Sequence, residues 1–180
     1  MRRFLLLLLS AAALCAATTA GAQERQAEEH AVKAAFLFKF PAFVEWPNRP
    51  GPEVPFVIAV VGAEDVAEEL RTLASGRTHN GREIQVRVAS DAQGGSGAHM
   101  VYVGRAAAAR LPALVRALAG APVLVVTESA GALEQGSMIN FVLADGRVRF
   151  DVAMDAAEAT RLRISSRLLA VARSVRGARP

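Results

Sequence analysis

The chain has 180 residues, 52% of them hydrophobic, with 21 basic and 17 acidic side chains. That length suits one domain, and a formal charge of only +4 is too weak to argue for nucleic acid as a partner. The basic excess is mostly arginine, since only Lys33 and Lys39 are lysines.

In chain order, Arg2 and Arg3 precede an apolar run from Phe4 to Leu9 and Ala11 to Ala17, followed by Ala20-Gly21-Ala22. This pattern predicts an export signal cut before Gln23 and a periplasmic domain of residues 23–180 with no direct membrane insertion. The alternative is a membrane anchor, but the run falls short of the about 20 apolar residues a spanning helix needs. Cys15, the only cysteine, follows bulky Leu14 and falls within the signal, so the exported chain has no disulfide, thiolate metal site or cysteine nucleophile. Loss of Arg2 and Arg3 leaves 19 basic against 17 acidic residues, an excess of +2.

From His30 the spacing of Val32, Phe36, Phe40 and Phe43 predicts a helix with an aromatic face. Pro41 ends or kinks it near Phe40, and Trp46-Pro47 closes the segment. Asn48–Pro55 reads as a loop. Phe56–Val61 is a buried strand and Glu64–Leu73 a helix. Ile84, Val86 and Val88 alternate as a strand with one wet face. Ser90–Ala98 is glycine-rich loop, Met100–Val103 a strand, Ala106–Ala119 a helix and Pro122–Val126 a strand. Asp145-Gly146 between apolar runs at Met138–Leu143 and Val148–Val152 is a hairpin signal. Asp155–Leu162 reads as a short helix. Ser165 or Ser166 caps a last helix running to about Val175. The predicted class is a single three-layer Rossmann-like α/β domain, with a mostly parallel sheet and a C-terminal β-hairpin plus helix.

No catalytic constellation assembles from these elements. The first strand-to-helix turn, Gly62-Ala63-Glu64-Asp65, lacks the glycines of a dinucleotide site and carries two acids that repel phosphate. Gly94–Gly97 leads into a strand and offers no helix N-terminus. Ser96 and Ser129 lack a nucleophile elbow. His30, His79 and His99 are not at ligand spacing and read as surface or boundary residues. Glu45 beside Trp46 is a lone acid. The expectation is therefore a binding protein with no enzyme activity, no metal and no cofactor.

Three stretches in order resemble a known family. They are Val32-Lys33-Ala34-Ala35-Phe36 with Phe40 and Phe43-Val44-Glu45-Trp46-Pro47; Gly136 to Val142 followed by Val148-Arg149-Phe150-Asp151-Val152; and Leu162 to Leu169. With Gly81-Arg82 and Val101 to Gly104 between them, they look like the YfiR family over residues 30–175. The resemblance implies a dimeric periplasmic α/β regulator. Its partner would be the periplasmic part of an inner-membrane diguanylate cyclase or sensor kinase, whose restraint lowers cyclic di-GMP and biofilm formation. The family's best-known member carries disulfides; this exported chain has no cysteine, so redox control does not carry over.

The candidate contact residues are Phe36, Phe40, Phe43 and Trp46, because five of the ten aromatics fall between residues 36 and 46. The same stripe can instead be the core face of the helix. Asn140, in an apolar strand, holds a neighbouring loop or faces a ligand. Arg163, Ser165, Ser166 and Arg167 form an anion site or an ordinary cap. A pocket lined by both Asn140 and Arg163 would favour a second reading, a small-ligand receptor that relays a signal to a membrane sensor kinase.

Overall fold

The computed structural model describes residues 23–48, 50–89 and 95–177. The expected export signal at 1–22 and most of the Ser90–Ala98 loop lie outside them.

Residues 23–39 form helix α1. Pro41 cannot donate to the helix, and the chain passes into a 3₁₀ turn at Phe40–Phe43. Strand β1 follows at Val44–Glu45. The wholly buried run Phe56–Val61 is β2, and Glu64–Ala74 is α2, which turns Val66, Ala67, Leu70 and Ala74 inward. Next come β3 (Thr78–His79), β4 (Arg82–Ala89) and β5 (Met100–Val103).

The stretch expected as one helix over Ala106–Ala119 is two pieces. A 3₁₀ segment at Arg105–Arg110 gives way to α3 at Leu111–Ala117, with Pro112 in its first turn. The proline ring fits only the start of an α-helix, so it resets the helix there. Strand β6 is Leu124–Thr127. Strands β7 (Ile139–Ala144) and β8 (Arg147–Ala153) make the predicted hairpin. Asp145 and Gly146 both have positive φ, 51° and 69°, as its two-residue turn requires. After α4 (Met154–Ala159) and β9 (Arg163–Ile164), the expected C-terminal helix is a single turn, α5 at Ser166–Leu169. The chain then becomes strand β10, Ser174–Arg176, parallel to β8. This correction has a non-local cause. Residues 151–153 of β8 offer an unpaired edge, and Arg173 reaches the Asp151 carboxylate with two hydrogen bonds.

The main sheet has the order β10-β8-β7-β6-β5-β2-β4-β3. It is parallel except at β7·β8 and β3·β4. From β2 the chain crosses to β4 on one side and then returns to β5 on the other, which sends successive helices to opposite faces. Ile58 and Val60 of β2 therefore share one core with α1, α2, α4 and α5. Val57, Ala59 and Val61 share a second core with α3. The result is the expected three-layer α/β domain. A separate two-stranded piece pairs β1 antiparallel with β9, setting Glu45 opposite Arg163.

Helix α1 is fixed by rings. Phe36 and Phe40 meet Phe141 and Phe150 of the hairpin, with centroids 5.3–5.9 Å apart. Phe40→Ala removes a side chain that is 1% exposed and should lower unfolding free energy by about 3–5 kcal/mol, read as a fall in the urea midpoint with an unchanged slope.

Candidate interaction site

Trp46 leaves α1 by way of the 3₁₀ turn and β1, and so arrives where the parallel strands begin. Its indole packs edge-on against Phe56, the first residue of β2, at 5.1 Å. Its Nε1–H donates to the carbonyl of His99 at 3.2 Å. Two concavities share Trp46 and Glu45 as a common wall. One, of about 520 Å³, adds Pro41, Phe56, His79 and Arg82. The other, of about 560 Å³, adds Glu158, Arg161 and Arg163.

Arg82 is the unexpected member. It opens β4 yet is only 6% exposed. Its Nε–H donates to the Val54 carbonyl at 2.6 Å, and Nη2 donates to the Pro55 carbonyl at 2.8 Å and lies 2.8 Å from Nε2 of His99. The guanidinium also lies 5.6 Å from the Phe56 ring centre, within cation–π range. His99 stacks on Phe56 at 4.7 Å, and His79 meets the same ring at 4.7 Å. The Val57 N–H donates to Nδ1 of His99 at 3.2 Å. Both nitrogens of His99 thus face donors, and an imidazolium, with two N–H groups and nothing to accept them, is its worst-fitting state. Burial and then the Arg82 charge pull its pKa down to about 4. Burial and Arg82 lower His79 as well.

A second polar cluster lies at the far ends of the strands. Lys33, 4% exposed, pairs with Glu29 one helical turn earlier and with Glu128 just after β6. The Arg105 N–H donates to Glu128 at 2.9 Å. Burial pushes the Glu128 carboxyl up, but Lys33 and Arg105 outweigh it and hold it below the usual carboxylate range. Beneath them Tyr102 is fully buried, and burial with the Glu128 charge raises its phenol. Here the turns after β2 and β5 touch: a Cβ on Gly104 would lie 2.3 Å from the Gly62 carbonyl.

The sequence-predicted residues therefore separate. Phe40 is core; Phe36 and Phe43 are half-buried against it. Trp46 and Arg163 share one concavity. Asn140 is buried and accepts a hydrogen bond from the Thr127 hydroxyl at 2.6 Å, beside Ser137. It borders an opening with Lys33, Arg105 and Glu128, different from the one that Arg163 borders. The Ser165 hydroxyl accepts from the Arg167 N–H at 3.2 Å as a cap, while Ser166 and Arg167 are exposed on a four-residue helical turn. Arg82, His79, His99 and Phe56 escaped sequence reading, because only the strand register brings them together. Lys33 left a signal: it stands one and two turns before Leu37 and Phe40 on the apolar face of α1.

The family model described as YfiR/HmsC-like matches residues 30–173. No curated protein matches the sequence significantly. Among solved structures, a conserved domain protein from Vibrio cholerae aligns at 16% identity and TM-score 0.52, over 67% of this chain and 54% of that one. A domain described as an ABC domain in complex with L-Trp, from Streptococcus pneumonia, aligns at 12% identity and TM-score 0.56, over 82% and 60%. The chain thus spans little more than half of either structure, and at these identities the likeness is one of fold. Among the described residues, no helix is long and apolar enough to cross a membrane.

The histidine geometry has a measurable consequence. An unfolded histidine takes up its proton near pH 6.5, whereas His99 does so only near 4. The unfolded chain binds more protons in between, so stability is complete above about pH 7 and drains as pH falls from 6.5 toward 4. Between pH 6.5 and 5, above the carboxylate range, the melting temperature of His99→Gln should fall less steeply than wild type. Equal slopes would show that His99 does not carry the dependence.

Proposed function

The chain belongs to the YfiR/HmsC-like family, and from that premise we propose that it restrains an inner-membrane signalling enzyme by binding that enzyme's periplasmic part. The family is one of periplasmic, non-catalytic regulators of diguanylate cyclases. The finer reading is that the partner is itself a diguanylate cyclase, so that binding lowers cyclic di-GMP and biofilm formation, and that the regulator works as a homodimer after cleavage before Gln23.

One observation carries this reading: the aromatic segment at 36–46 ends in Trp46, half-buried at the wall of two adjoining concavities. Phe40 is spent on the core, but Trp46 combines a large apolar face with an anchored N–H, the combination that concentrates binding energy at interfaces. The small-ligand alternative loses its most specific support, because Asn140 and Arg163 border separate openings.

Residues 23–180, immobilised and exposed to detergent-solubilised membranes, should retain an inner-membrane protein with a cyclase or kinase domain. A Trp46→Ala bait, checked by its melting curve to be folded, should recover at least tenfold less. Equal recovery by both baits would place the contact elsewhere, and recovery of no such protein by wild type would remove the regulatory reading.

A further inference from the structure

We propose that the free edge of β1, beside the Trp46 cavity, accepts an extended acidic segment of the partner protein as an added strand, with one carboxylate directed at Arg82. This deepens the regulatory reading and rests on it. Two independent observations converge on the same side of β1.

The first is a buried cation without a counter-charge. The Arg82 partners are two carbonyls and an imidazole, all neutral. Among the described residues, no carboxylate lies within ion-pair distance of it. Burying a charge unpaired is costly, and an incoming anion relieves that cost. Yet Arg82 lines an opening of about 520 Å³, wide enough to admit side chains from outside. The two hydrogen bonds to carbonyls and the contact with the imidazole hold the guanidinium in place, so an anion meets a preorganised group.

The second is unpaired main chain. The Ser165 N–H donates to the Phe43 carbonyl at 2.8 Å, and the antiparallel register sets Val44 opposite Ile164 and Glu45 opposite Arg163. By the alternation of such ladders, Glu45 turns both main-chain groups toward β9, while those of Val44 and Trp46 turn away. The Val44 N–H is taken by the Pro41 carbonyl. The Val44 carbonyl and the Trp46 N–H have no partner among the described residues, and both residues line the cavity. An extended peptide satisfies such a pair, its main chain giving affinity and its alternate side chains specificity.

Surrounding charge selects acid. Arg161 and Arg163, in the adjoining concavity, are exposed and have no ion pair among the described residues. With Arg82 they outnumber the two acids lining the two concavities, Glu45 and Glu158.

The test uses fluorescein-labelled octapeptides of alternating Thr and Val with Glu, Gln or Lys at one central position, titrated against residues 23–180 by fluorescence anisotropy. The Glu peptide should bind at least tenfold more tightly than the Gln or Lys peptides. N-methylation of its central amides should abolish binding. Arg82→Gln should erase the preference for Glu over Gln; if that variant does not fold, the wild-type peptide series decides alone. Equal binding of the Glu and Lys peptides, binding indifferent to N-methylation, no binding of any peptide, or full competition by propionate would each overturn the proposal. Failure here with the membrane partner still recovered by wild-type bait would leave the regulatory reading intact and remove only the strand-addition site.

Discussion

The packing of Phe36 and Phe40 on Phe141 and Phe150 is the constraint on which the rest of the molecule hangs. It ties the first helix to the hairpin more than a hundred residues later. With that contact made, α1 crosses one face of the sheet from the ends of the parallel strands, where Lys33 meets Glu128, to their beginnings, where Trp46 meets Phe56. Trp46 has little local structure of its own to position it. It stands where it does because the helix before it is held along its length, and because Pro41 turns the chain at a defined point.

The two ends of the sheet have been put to different uses. Open α/β sheets ordinarily receive ligands beyond the carboxyl ends of their strands, at the point where strand order reverses. Here that point is the β2–β5 junction, and its two turns press together so closely that Gly104 has no room for a side chain. The charges beside it are mostly satisfied by one another. The opposite end carries the unbalanced chemistry: a buried guanidinium, two histidines held neutral and a tryptophan. A buried ion pair such as Lys33–Glu128 contributes little net stability, but it fixes position, since either charge left alone would be strongly unfavourable. The pair ties α1 to the end of β6.

Much of the fold was legible in the sequence. Continuous apolar runs marked the parallel strands, Asp145-Gly146 marked the hairpin, and the step of three and four residues marked α1. What escaped was set by distant chain. The propensities of residues 166–176 favour helix, and only the free edge of β8 and the Arg173–Asp151 contact make residues 174–176 a strand. The site was half legible. Trp46 stood out because it sits between an aromatic stripe and a proline. Arg82 entered the sequence reading only as part of the Gly81-Arg82 turn, because its burial depends on carbonyls and a histidine 17 to 28 residues away. Phe40 looked like its aromatic neighbours, and only the hairpin decided that it would be core.

The order of strands also governs when the molecule can come together. The first helix finds its principal packing partners only when the hairpin exists, and β8 gains its outer neighbour last of all. Contacts of such long sequence separation slow folding, because loop-closure entropy is lost before burial compensates for it. Through that interval a cluster of aromatic side chains near the front of the chain stays exposed to solvent. A growing or threading polypeptide of this design remains pliable until nearly all of it has emerged, which suits passage in the unfolded state and makes shielding by a chaperone valuable along the way.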